Sequence, residues 1–347
     1  MPSVDLPLLV YFLVAMNLGV TSPDPFRILH STKAVMEGAK FVSINKKAIE
    51  DTAKRIGNYL KRLTDFPDQG HHIVGEYQTD AQLIFFESMM AFCFWSLPGQ
   101  AKWCIELGSG EKVDGWYGVC AAFKRAYEEG IRVEVADFFI HASKRDIAHI
   151  FRPASDAEIP LFDERVAILR NNARILNKHF AGQATNLIEA SGRDAIKLFR
   201  LLFKHFPSYR DIATYNGHEV VFLKLAHIVA LDLEYRLTQK KKRPFLKNFD
   251  ELCVFADYKL PQLLRMFGVL AFAKSLREKI DSYVVIAKGS PEEIELRSGA
   301  VWGVELIHQR LSQYSSVQIG HVIWLMSQDQ ELQARIKPYH RTYTTYY

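Results

Sequence analysis

The sequence predicts a mainly α fold, and three observations lead there. Apolar residues recur at intervals of three and four through most of the chain. Strand-like patterning is confined to a few short stretches, and no fixed-period repeat or low-complexity segment breaks the pattern. No linker marks an internal boundary, so one compact helical body with at most minor β structure is expected.

The elements follow in chain order. Leu6 to Val20 (LPLLVYFLVAMNLGV) reads as an apolar helix docked on the body, ended near Gly19 and Ser22-Pro23-Asp24-Pro25. It lacks the basic residues of a secretory signal and is shorter than the ~20 residues that span a bilayer. Residues 1–25 are therefore set apart as an N-terminal extension, and 26–347 as the main domain. Ile49, Ala53, Ile56, Leu60 and Leu63 form one helical stripe. Leu83 to Trp95 (LIFFESMMAFCFW) is almost continuously apolar and predicts a central helix buried all round.

Trp116 to Glu129 predicts a helix closed by Gly130, followed by a short strand or extended loop over Ile131 to Val135. Leu161 to Phe180 and Ala195 to Phe206 carry amphipathic stripes, the second stopped by Pro207. Val220 to Leu233 reads as another apolar helix, and Lys240-Lys241-Lys242-Arg243-Pro244 as an exposed loop. Tyr258 to Phe267 and Ala300 to Leu311 complete the helices, while Tyr283 to Ala287 and Glu293 to Arg297 are the strand candidates.

Composition narrows the function classes. Lys and Arg number 44 against 39 Asp and Glu, a net charge of +5 that favours anionic ligands without demanding nucleic acid or a membrane. The four cysteines, 93, 104, 120 and 253, form no C-x-x-C pair, which fits reduced thiols in a cytoplasmic protein. There is no phosphate-binding glycine loop, no H-E-x-x-H and no G-x-S-x-G. His71 and His72 are adjacent, but no Cys or second His stands at metal-ligand spacing from them, so they read as exposed loop histidines.

What remains is polar chemistry inside apolar helices. Asp232 closes VVFLKLAHIVALD, with Lys224 two helical turns earlier on the same face. It either faces the core with a partner or a function, or sits at an exposed helix end and pairs with Arg236. Asp257 stands at a helix N-cap position, which holds a carboxylate rigidly, with a depressed pKa, whether or not it is catalytic. Phe92, Phe94, Trp95, Trp103, Trp116 and Tyr117 are either core or a stacking surface for flat heterocycles.

The ordered segments resemble the queuosine salvage family, the queuosine 5′-phosphate N-glycosylase/hydrolases. The matching pieces are FESMMAFCFWS, GWYGVCAAFKRAYEEGI, HIFRPAS with IPLFDERVAIL, FPSYRD, VVFLKLAHIVALD, FADYKLPQLLRMFGVL, ELRSGAVWGVELI and PYHRTYTTYY. The resemblance implies a helical fold similar to helix-hairpin-helix DNA glycosylases. It implies hydrolysis of the N-glycosidic bond of queuosine 5′-phosphate, with release of queuine for tRNA modification. No metal or organic cofactor, no stable nucleic-acid partner, no membrane and a monomer are the matching expectations.

The implied site comprises Asp257 and Asp232 as catalytic carboxylates, with Phe255, Tyr258, His72, Trp95 and His321 against the substrate. Phe255 and Trp95 would sandwich the deazapurine, and Lys224 or Lys259 would meet the 5′-phosphate. The chain departs from the family pattern at Gly320 to Leu325 (GHVIWL), where two acidic positions are lost and His321 replaces an aromatic. Glu87 stands where Asp is usual. Those departures leave two further readings: a binding protein that keeps the pocket without the catalysis, and, from the basic run at 240–243, a nucleic-acid-binding module.

Overall fold

The computed structural model describes residues 18–61, 70–241 and 244–347. The apolar segment at Leu6 to Val20 falls almost wholly outside them, as does Leu63. The described residues form fifteen helices and three two-stranded antiparallel sheets, packed around one continuous core. None of these helices is long and apolar enough to cross a membrane.

The Pro291–His308 helix lies at the centre. Ser290 caps it by accepting from the Glu293 amide, and Pro291 occupies the first turn, where its missing N–H costs nothing. Its faces pack on the Ile28–Glu37, Ile49–Leu60, Lys259–Met266 and Ser316–Met326 helices. Glu293 to Arg297 is therefore helical rather than a strand. Two of the buried charged side chains on this helix are fully engaged. Glu295 accepts the amides of Lys40, Phe41 and Val42 at 2.6–3.1 Å and the Tyr215 hydroxyl at 2.8 Å. Arg297 forms a two-pronged pair with Asp211 at 2.9 and 2.5 Å and lies over the rings of Phe222 and Tyr347.

The Phe162–Phe180 and Ala195–His205 helices run as their apolar stripes predict, and Gly115–Glu128 ends with Gly130 at positive φ. Ile131 to Val135 is a turn-rich loop. Tyr283 to Ala287 makes only an isolated bridge, Val285 to Arg341. The sheets join Val42–Ile44 to Leu270–Phe272, Cys104–Glu106 to Lys112–Asp114, and Ile212–Tyr215 to His218–Val221. The last is a hairpin turned by Asn216-Gly217, both at positive φ.

Three expectations need correction. The helix expected over Leu83 to Trp95 is Tyr77–Ser88 only; Met89 to Trp95 is buried but irregular, with Cys93 at φ 47°. Buried cations take over the carbonyls a helix would have used. Arg165 donates to Met90, Phe92 and Cys93, and Lys224 donates to Ala91. The second is Val220 to Leu233, which splits into strand His218–Val221 and helix Lys224–Lys241. Leu223 turns at φ 54°, and the Asp211 side chain accepts the first helical amide. Third, that helix carries its backbone through Lys240 and Lys241, where a loop was expected; Lys242 and Arg243 lie outside the described residues.

Candidate active site

The segment Cys253 to Tyr258 is buried without regular structure and delivers its side chains to the start of the Lys259–Met266 helix. Asp257 Oδ1 accepts the amides of Lys259 at 2.9 Å and Leu260 at 3.1 Å, so the carboxylate caps this helix. Both bonds fall on Oδ1 and leave Oδ2 outside the cap. The cap alone predicts a depressed pKa. Burial pushes it the other way and outweighs Lys224 and the two amides, so the Asp257 carboxyl is raised.

Asp232 is not at an exposed helix end. It lies midway along Lys224–Lys241, 6% exposed, with Ser88 Oγ at 3.5 Å from Oδ2. Burial pushes its carboxyl up to about 6, against the pull of His72 and Arg236. Arg236 does not turn back to bond Asp232; it donates to Glu87 at 2.9 Å and to the Ile73 carbonyl at 3.1 Å. Glu87 is fully buried, and Arg236 and His72 hold its carboxyl below the usual range although burial opposes them.

Asp257 and Asp232 face one cavity of about 610 Å³. Its walls include Asp257, Asp232, Phe255, Tyr258, His72, Lys224, Lys259 and His321. His71 and His72 are thus cavity residues rather than exposed loop histidines, with ring contacts to Tyr117 and Trp116. Burial brings Lys224 down to about 8, opposed by Asp257 and Asp211; its ammonium lies within electrostatic reach of both Asp257 and Asp232. Burial, then Lys102, brings Lys259 to about 8 as well; its ammonium lies 5.0 Å from the Tyr339 ring centroid. Burial alone takes His321 down to about 3, so its ring is neutral.

Trp95 is the exception among the expected site residues. It lies outside this cavity, packed on Tyr343 at 4.4 Å with its indole N–H on the Thr342 carbonyl. The turn at Cys93 leads it away, so the expected sandwich with Phe255 does not form. Trp116, Tyr117 and Trp324 supply the aromatic wall, with Trp324 edge-on to both Tyr117 and His321. In the sequence Trp324 stands out only as part of the departing Gly320 to Leu325 segment, whereas Trp116 and Tyr117 stand out in the aromatic cluster. Glu87 was detectable as a carboxylate inside an otherwise apolar helix. Among the described residues, one set of metal-type donors also converges here: His72, Glu87 and Cys120.

The arrangement can stabilise a cation next to a fixed carboxylate, hold an aromatic heterocycle and neutralise an anion. Comparison with known proteins points the same way. The sequence model of the family described as "Queuosine salvage protein" matches residues 71–347. A queuosine 5′-phosphate N-glycosylase/hydrolase of Sphaerobacter thermophilus is 35% identical over 326 residues, 93% of this chain and 98% of the relative. Proteins of the same name from Bos taurus and Mus musculus are 28% and 30% identical. They cover 90% and 76% of this chain, and 98% and 81% of their own lengths.

Proposed function

We propose, from the premise that this chain belongs to the queuosine salvage protein family, that it hydrolyses the N-glycosidic bond of queuosine 5′-phosphate and releases queuine. The observation that carries the reading is a pair of buried carboxylates of different character in one aromatic-walled cavity. Asp257 is anchored by two amides, and burial pushes the Asp232 carboxyl up to about 6.

Heterolysis of the C1′–N bond sends its electron pair to the base and leaves an oxocarbenium-like cation on the ribose. A carboxylate already fixed beside C1′ stabilises that charge without reorganising, which is worth most where water is excluded. Asp257 takes this role, either as electrostatic stabiliser or as nucleophile, and offers Oδ2. Water then supplies the oxygen that bonds C1′. Asp232, with its carboxyl near 6, accepts the water's proton and passes it to the departing base. The same acidic end suits the amino-cyclopentenediol substituent of the base. Trp116, Tyr117, Phe255 and Trp324 hold the deazapurine, and Lys224 or Lys259 meets the 5′-phosphate.

The test is incubation of the purified protein with queuosine 5′-phosphate, with free queuine followed by mass spectrometry beside an Asp257→Asn control. Release by the wild type and a loss of about 10²-fold or more in the variant are expected. Ligand that raises the melting temperature without any release would replace hydrolysis by the binding-protein reading.

A further inference from the structure

Three elements distant in sequence bring a thiol, an imidazole and a carboxylate together behind the cavity wall. His72 comes from the loop before the Tyr77–Ser88 helix, Glu87 from that helix, and Cys120 from Gly115–Glu128. One donor atom from each lies within 4.8 Å of the others. Glu87 and Cys120 are fully buried, and His72 is mostly so.

Two atoms of this cluster lack hydrogen-bond partners. Arg236 occupies Glu87 Oε2, which His72 Nδ1 approaches only to 3.8 Å, so Glu87 Oε1 and His72 Nδ1 are both buried without a hydrogen bond. Buried lone pairs left open cost free energy, and here two of them stand beside a thiol. Arg236 is the charge an added cation must tolerate. Glu87 and the neighbouring Asp232 oppose it, and metal binding would add a thiolate.

We propose that His72, Glu87 and Cys120 form a binding site for a borderline-soft divalent cation of the zinc class. Nitrogen, oxygen and sulfur in threefold array suit such an ion and leave a fourth position open, whereas hard cations such as magnesium want oxygen donors alone. Binding exchanges the Cys120 thiol proton for the metal–sulfur bond, so one proton is released per ion. The effect on turnover, which rests on the hydrolase reading, is inhibition: the metal takes His72 from the cavity wall and engages Glu87, the carboxylate that anchors Arg236 near Asp232.

The full chain, stripped with chelator, is titrated with cadmium chloride while the cadmium–thiolate charge-transfer absorption is recorded. One cadmium per chain is expected, unaffected by excess magnesium. The band should disappear in Cys120→Ser, and the ion should bind about tenfold more weakly or worse in His72→Ala. Cys104→Ser, which changes the one thiol that is not buried, should leave the band intact. No band in the wild type, or a band that survives Cys120→Ser and vanishes in Cys104→Ser, overturns the site. If Cys120→Ser does not fold by circular dichroism, unchanged cadmium affinity in His72→Ala overturns it instead. Because the readout is spectroscopic, the site and the hydrolase reading stand or fall separately.

Discussion

Arg165 and Phe92 meet twice: the guanidinium lies over the phenyl ring, 4.1 Å from its centroid, and donates to the Phe92 carbonyl at 2.5 Å. Among the described residues, no carboxylate pairs with this arginine within hydrogen-bonding distance. Its bonds go to the carbonyls of Pro160, Met90, Phe92 and Cys93, and burial brings its pKa down to about 9. The cation thus serves as a set of backbone hydrogen-bond donors for the irregular segment between the Tyr77–Ser88 helix and Trp95.

Replacing Arg165 by Met should therefore destabilise the fold by about 2–5 kcal/mol, because several buried carbonyls lose their donor at once. Thermal unfolding should show a fall of about 5 °C or more. A midpoint unchanged from wild type would mean the segment is held by its apolar side chains alone.

Asp232→Asn should separate stability from turnover. The native carboxyl titrates near 6 against an ordinary 3.8, so the folded state holds its proton more tightly than the unfolded chain. The stability this confers is complete below about 3.8 and is lost as pH rises through 6. At pH 7 the neutral amide should gain about 1–3 kcal/mol over wild type, with the advantage gone at pH 3.5. Base release should fall together with the gain in melting temperature. An Asn variant less stable than wild type at pH 7 would show that the charged form is well compensated.

The rate of base release should rise through about pH 6 as Asp232 ionises and decline above about pH 8 as Lys224 and Lys259 lose their protons. The alkaline limb should appear as a rising KM for the phosphorylated substrate, with the unphosphorylated nucleoside far less affected. Lys259→Met should reproduce that KM effect at neutral pH, and equal losses on nucleotide and nucleoside would remove Lys259 from the phosphate site.

Gly320 lies in the Ser316–Met326 helix directly against Val254, three residues before Asp257. A Cβ at 320 would overlap the Val254 Cγ2 methyl. Gly320→Ala should destabilise by about 1–3 kcal/mol and disturb the 253–258 segment. Adding Val254→Ala should restore part of both stability and activity, and a strictly additive double variant would show that the two positions do not share the space.

How much of this was readable in advance depends on where each element finds its partners. Phe162–Phe180 and Ala195–His205 carry an apolar stripe and a polar face, so their period survives in the letters. The run Leu83 to Trp95 has no period, since both its helical and its irregular halves are buried. What ends the helix is Arg165 and Lys224, residues 72 to 133 positions further on. The N–G turn at Asn216-Gly217 was in plain view and marks the hairpin that shortens the expected Val220 helix.

At the site, Asp257, Tyr258 and Phe255 share one segment and resemble a known motif, so they could be named together. The His72–Glu87–Arg236 arrangement could not, because spacing along the chain says nothing about two helices and a loop that meet only in space. The direction of the Asp257 shift was also misjudged: its capping bonds are local, but its desolvation comes from everything packed around it.

The turn that carries Trp95 away from the cavity also ties residues 91–96 to the far end of the chain. Cys93 N–H donates to the Tyr347 carbonyl, Arg341 to the Ser96 carbonyl, and the Trp95 indole N–H to the Thr342 carbonyl, each across about 250 residues. Loops of that length close slowly, and their entropy must be spent before the contacts are made. Tyr347 itself lines the cavity. A folding intermediate with most of its helices in place but this closure unmade would lack one wall of the cavity. Activity should consequently be the last property to return on refolding, after helical circular dichroism has already recovered.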